Sequence, residues 1–87
     1  MKHLREDYDR IQDPAGKIGE DEPVFLLRAQ DKAFPAMLQS YVAWQRAVGN
    51  EALASFIEAQ LPAVHAWRHA HPCKQADVPF DVKPGLL

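Results

Sequence analysis

The chain has 87 residues, 47% of them hydrophobic and 25% charged, with ten Lys+Arg against twelve Asp+Glu for a formal net charge of −2. That length supports one small domain, and the balance lacks the basic surplus that phosphate-backbone binding requires, so the composition argues against a nucleic-acid partner. Apolar runs such as Val24 to Leu27 stop far short of the roughly 20 residues that span a bilayer, and no signal-peptide pattern opens the chain. The reading is therefore a cytoplasmic protein without a membrane partner. The lone Cys73 offers no internal disulfide, in keeping with a reducing compartment. A chain of this size buries only about 60–65% of its unfolded surface, which makes a homo-oligomer an attractive remedy.

Residues 1–22 carry four basic and seven acidic side chains and read as an acidic, irregular arm, with a short helix over Met1 to Arg10 as the alternative. Asp13-Pro14-Ala15-Gly16 predicts a turn, because Asp accepts from its own downstream backbone and Pro presets φ. From Pro23, the apolar run Val24-Phe25-Leu26-Leu27 predicts one strand over residues 23–29. The tail, residues 72–87, alternates Val78, Phe80 and Val82 with Pro79 and Asp81, which places it to pair with that strand as an edge. Its apolar end, Leu86-Leu87, suggests assembly by strand addition or tail exchange.

Between strand and tail the pattern is helical. Asp31 is placed as N-cap and Pro35 in the first turn of a helix over 32–48, whose apolar face is Phe34, Met37, Leu38, Tyr41, Trp44 and Val48. Gly49 ends it and Asn50 caps a second helix over 51–70, with Leu53, Phe56, Ile57, Gln60, Val64 and Trp67 on one face. Pro62 lies on the solvent side, so the expectation is a bent continuous helix, with a break at Gln60 as the alternative. The aromatic residues Tyr41, Trp44, Phe56 and Trp67 are assigned to the core. The whole is a small α+β domain of residues 1–87: arm and turn, one short strand, an antiparallel two-helix hairpin, and an extended tail.

Two groups of side chains invite a chemical role. Arg28, Gln30, Asp31 and Lys32 sit where strand passes to helix, a place where backbone N–H groups and a guanidinium fork gather around an anion. The simpler account pairs Arg28 with Asp31 or with Glu20 to Glu22 and leaves Asp31 a cap. His65, His69, His71 and Cys73 fall at spacings that bring imidazoles onto one side of a helix end, within reach of a metal ion. The simpler account is a solvated helix terminus whose cations complement the dipole. No constellation assembles nucleophile, base and electrophile: Ser40 and Ser55 lie in helix interiors, and the acidic runs read as solvated surface. The expectation is therefore no enzyme and no cofactor.

The stretch Tyr8-Asp9-Arg10-Ile11-Gln12-Asp13-Pro14-Ala15-Gly16-Lys17-Ile18, continued by Glu20-Asp21-Glu22-Pro23-Val24-Phe25-Leu26-Leu27-Arg28-Ala29-Gln30-Asp31, resembles a group of short uncharacterised proteins of phages, prophages and bacterial genomes. Ala66-Trp67, Lys74 and the Asp77-Val78-Pro79 tail extend the likeness. The resemblance implies a phage or prophage setting, in which small acidic proteins serve host takeover or counter-defence by occupying a host protein or sequestering a nucleotide signal; with no catalytic constellation in the residues, the expectation is a non-enzymatic interaction protein acting by stoichiometric occupancy of a host protein. Its alternatives are an oligomeric sponge for a small anionic, nucleotide-like ligand, or a metal-binding protein using the C-terminal His/Cys cluster.

Overall fold

The structure, a computed structural model, describes residues 1–79. Its elements are β1 (Lys2–His3), β2 (Pro23–Val24), α1 (Phe34–Ala47), α2 (Glu51–Glu58) and α3 (Leu61–Ala70), a small α+β set. They belong to two units: residues 1–27 with 77–79 of the described tail, and residues 28–76.

In the first unit, β1 and β2 form a two-stranded parallel sheet with Lys2 opposite Pro23 and His3 opposite Val24. Lys2 N donates to the Glu22 carbonyl and Leu4 N to the Val24 carbonyl, both at 2.8 Å. Residue 23 gives no N–H to these bonds, which is why a proline holds the position. The arm thus supplies a strand where a short helix or an irregular segment was expected. The predicted strand over 23–29 shrinks to two residues because its partner bends away at Arg5, whose carbonyl accepts from Tyr8 N at 3.1 Å. Among the described residues its partner is β1; the expected pairing with the tail falls on Phe80 and Val82, which with Leu86 and Leu87 lie outside the described residues.

A parallel pair needs a long crossover, and here residues 4–22 make it without regular structure of their own. The Asp13 turn holds as the sequence predicts. Gly16 N donates to the Asp13 carbonyl at 3.0 Å, and the Asp13 carboxylate accepts from Lys17 N at 3.0 Å and Ile18 N at 2.8 Å. Gly16 sits at φ +65°, a left-handed conformation that glycine adopts without Cβ strain. The amino terminus of Met1 donates to the carbonyls of Gly19 and Glu20, closing the crossover.

In the second unit α1 packs on α2. Asp31 does not cap α1 directly. The N-cap is Ala33, while the Asp31 side chain accepts from Ala33 N at 2.8 Å and its carbonyl from Phe34 N at 3.0 Å, a turn that launches the helix two residues later than predicted. Pro35 falls in the first turn, where a missing N–H costs nothing. Gly49 at φ +87° terminates α1: Gly49 N reaches the Arg46 carbonyl at 3.1 Å and Asn50 N the Gln45 carbonyl at 2.8 Å, a closed left-handed cap. Asn50 precedes α2 but makes no side-chain cap; its amide donates to Gln45 Oε1 at 3.1 Å.

The second predicted helix is two helices. Pro62 stands in the first turn of α3, and Gln60 N closes a tight turn on the Ile57 carbonyl at 2.9 Å. A bent helix would have carried proline in its interior at about 3 kcal/mol, a cost that a fresh helix start removes.

The core is slight. Of the described apolar side chains only Val42, 5% exposed, and Ala54, fully buried, are shut off from water. Half-buried Phe34, Leu38 and Gln45 share α1's inner side, Leu53 and Ile57 share that of α2, and Leu61, Val64 and Arg68 follow at helical spacing on α3. No described helix is long and apolar enough to cross a membrane.

Candidate functional site

The face of α1 that the periodicity assigns to the core mostly points outward. Met37 is 51% exposed, Tyr41 46%, Trp44 65% and Val48 59%. At about 100° per residue these four lie within about 60° of arc, whereas Leu38, Gln45 and Val42 centre some 90° away, toward α2. Val42 and Ala54 are the buried apolar residues of α1 and α2, so α1 turns its Val42 side toward α2 and the adjacent side of larger residues to water. Phe56, 63% exposed, and Trp67 are likewise outside the core to which the sequence assigned them. Trp67 stacks on His71, ring centroids 4.2 Å apart and 13° from parallel.

Arg46 is the single charged residue of α1. Its guanidinium meets Glu51 at 2.8 and 3.1 Å and Glu58 at 3.2 and 3.3 Å, clamping the end of α1 to both ends of α2. Glu51 also accepts from Ser55 Oγ at 3.0 Å, and Arg46 first, then Ser55, hold its carboxyl below the ordinary range. Arg46 is correspondingly harder to deprotonate.

The junction residues Arg28, Gln30, Asp31 and Lys32 come together in the loop before α1, but its backbone is already engaged. Asp31 N donates to the Arg28 carbonyl and Lys32 N to the Lys74 carbonyl, at 3.0 and 3.1 Å. Lys74 N donates to the Gln30 carbonyl at 3.0 Å, and Asp31 and Lys74 form a parallel bridge. From α3, Arg68 Nη1 donates to the carbonyls of Ala29 at 2.6 Å and Asp31 at 2.7 Å. With the Asp31-centred turn, every N–H from Asp31 to Phe34 is bonded within the chain, so the loop is built as a structural joint and offers an anion only side chains. Arg68 makes that joint, a role the sequence pattern did not single out.

His65, His69, His71 and Cys73 are not assembled as a ligand set. Among the described residues no three His, Cys, Asp or Glu side chains converge as a metal site would require. His71 Nδ1 donates to the Trp67 carbonyl at 2.7 Å, since a carbonyl can only accept. Cys73 Sγ faces the carbonyls of Arg68 at 3.8 Å and His71 at 3.7 Å.

In the first unit the organising residue is Arg5, 7% exposed. Its Nε and Nη2 donate to the two Asp7 oxygens at 3.1 and 2.7 Å, Nη1 donates to the Asp77 carbonyl at 3.0 Å, and the cation lies 4.0 Å from the Tyr8 ring centre. Asp7 raises the Arg5 pKa most, and Arg5 in turn holds the Asp7 carboxyl low. The sequence offered only an arginine in an acidic arm as a signal for this. Lys2, His3, Glu6 and Asp9 line an open cleft of about 500 Å³, and His3 Nε2 is buried without a hydrogen-bond partner.

No protein-family model, curated protein or solved structure matches the chain.

Proposed function

We propose that the chain is a non-enzymatic interaction protein, phage- or prophage-related, that acts by stoichiometric occupancy of a host protein. The observation that carries this reading is the outward display of large apolar side chains on short helices that bury little else: Tyr41, Trp44, Val48 and Phe56 exposed against Val42 and Ala54 buried. Exposed apolar surface of several hundred Å² is the usual mark of a protein contact, and aromatic side chains are its strongest anchors. The phage setting rests on the likeness of the Tyr8 to Asp31 stretch, and it makes a host protein the fitting target. The antiparallel arrangement of α1 and α2 belongs to the same proposal, as the hairpin that would present both helices on one side.

The test is a photo-crosslinking residue placed at Phe56 in the full chain, expressed in the native host. One discrete adduct of fixed stoichiometry, whose protein component binds the purified wild-type chain and not a Phe56→Asp variant, is the expected result. Absence of a protein adduct, or a smear of weak ones, overturns the proposal.

A further inference from the structure

The exposed stripe of α1 has a finer order than amphipathicity requires. Met37, Tyr41, Trp44 and Val48 are separated by four, three and four residues, and half-buried Phe34, on the border with the inner side, precedes Met37 by three. This is the alternation of the two seam positions of a coiled coil, sustained for two heptads, and it makes a stripe narrower than the broad face of an ordinary packed helix. Four of the five are more than two-fifths exposed, and α1 packs on α2 through a different side. A helix that carries a seam and turns it away from its own unit has the form of one half of a pair.

We propose that the missing half is a second copy of this chain, with α1 laid against α1. This rests on the reading of the exposed apolar residues as protein contacts and names the occupant for one of the two helices. Four observations support a copy, the first of them against a foreign helix. The seam is flanked on its open side by Ser40 and Ala47 and on the side bordering α2 by half-buried Leu38 and Gln45, none of them charged. Heteromeric helix pairs are chosen by charges at those flanks, whereas two identical helices with neutral flanks meet no like-charge repulsion. The one charge of α1, Arg46, stands on the side of the helix opposite the seam, where it pairs with Glu51 and Glu58. Ser40 and Ala47 are small, so the helices can approach closely. The exposed parts of Met37, Tyr41, Trp44 and Val48 amount to about 500 Å² per copy, taking aromatic side chains at about 150–250 Å² each. A symmetric pair that covered all of it would bury about 1,000 Å², the area a biological interface has to clear and below the standard range of specific ones.

Sedimentation equilibrium of the full chain over a concentration series tests the proposal, with Trp44→Glu and Trp44→Lys alongside. The wild type should rise to the mass of two 9.8-kDa chains. Each variant should remain a single chain with unchanged far-UV circular dichroism, and an equimolar mixture of the two should regain the paired mass through the opposite charges. A wild type that stays at one chain throughout, or variants that pair as well as the wild type, overturns the proposal. Should either variant lose its helical signal, a crosslinking residue at Tyr41 in otherwise wild-type protein decides, by joining α1 peptides of two copies or failing to. A single-chain mass together with a discrete Phe56 adduct rejects the seam and keeps the host-protein reading; a doubled mass with no such adduct does the reverse.

Discussion

The two units are held by different kinds of force. Residues 1–27 and 77–79 depend on directed polar bonds gathered at two residues: Arg5 binds Asp7, Asp77 and the face of Tyr8, and Asp13 collects the backbone of its own turn. Residues 28–76 depend on helices with local termini, two buried apolar side chains, Val42 and Ala54, and a joint made by Arg68 and Lys74. The first arrangement ties Arg5 and Asp13 to partners within its own unit, while its Leu4 and Phe25 stand more than half exposed. The second leaves its largest apolar groups outward, and that is where a partner has something to bind.

The comparison can be broken most forcibly at Arg5. Arg5→Ala removes charge-assisted bonds to Asp7 and Asp77 from a buried site and should destabilise the first unit by about 2–3 kcal/mol. Amide hydrogen exchange should show the Leu4 N–H losing protection while the α1 and α2 amides keep theirs. Loss of both sets together would mean that the units do not differ as described. Next in size is the core of the second unit: Val42→Ala should cost about 1–2 kcal/mol and Ala54→Leu a similar amount by overpacking, read as lowered midpoints in urea.

Acid sharpens the contrast further. Backbone donors at Ile18 and Lys17 hold Asp13 low, and Arg5 holds Asp7 low. Carboxyls with depressed folded values add stability above their unfolded pKa of about 3.9, and that stability is lost as pH falls through the folded values. Below about pH 4 the first unit should therefore loosen before the helices do, with Leu4 exchange outrunning that of Val42. Glu51 is the lowered carboxyl of the second unit and limits this difference. The smallest stability effect should come from Trp44→Gln, within about 0.5 kcal/mol for the single chain, because the ring is mostly in water there.

How much of this was legible depends on range. The Asp13 turn, the Gly49 stop and the extent of α1 to within two residues follow from local chemistry, since each is decided by groups a few positions apart. The parallel partner of β2 was not legible, because pairing across residues 4–22 leaves no mark in either two-residue strand. Pro62 was ambiguous for a physical reason: the same residue suits a solvent-facing kink or a helix start, and the cheaper one prevailed. The orientation of α1 failed for another. Two apolar sides lie next to each other on that helix, Phe34-Leu38-Val42 and Met37-Tyr41-Trp44-Val48, and the buried member, Val42, belongs to the first. The strict three-four spacing of the second set was the available clue that it serves a partner outside its unit.

Trp44 itself gives the most direct measurement of whether α1's stripe is covered by another chain. With Trp67→Phe leaving one indole, its emission maximum is followed as the full-length protein is concentrated. The account predicts a water-like maximum at high dilution that shifts to the blue as the copies pair, in step with the sedimentation mass. An emission that is already blue-shifted at the lowest concentration and in the single chain would place Trp44 in its own core, and one that stays water-like at every concentration would leave the stripe uncovered; either result contradicts it.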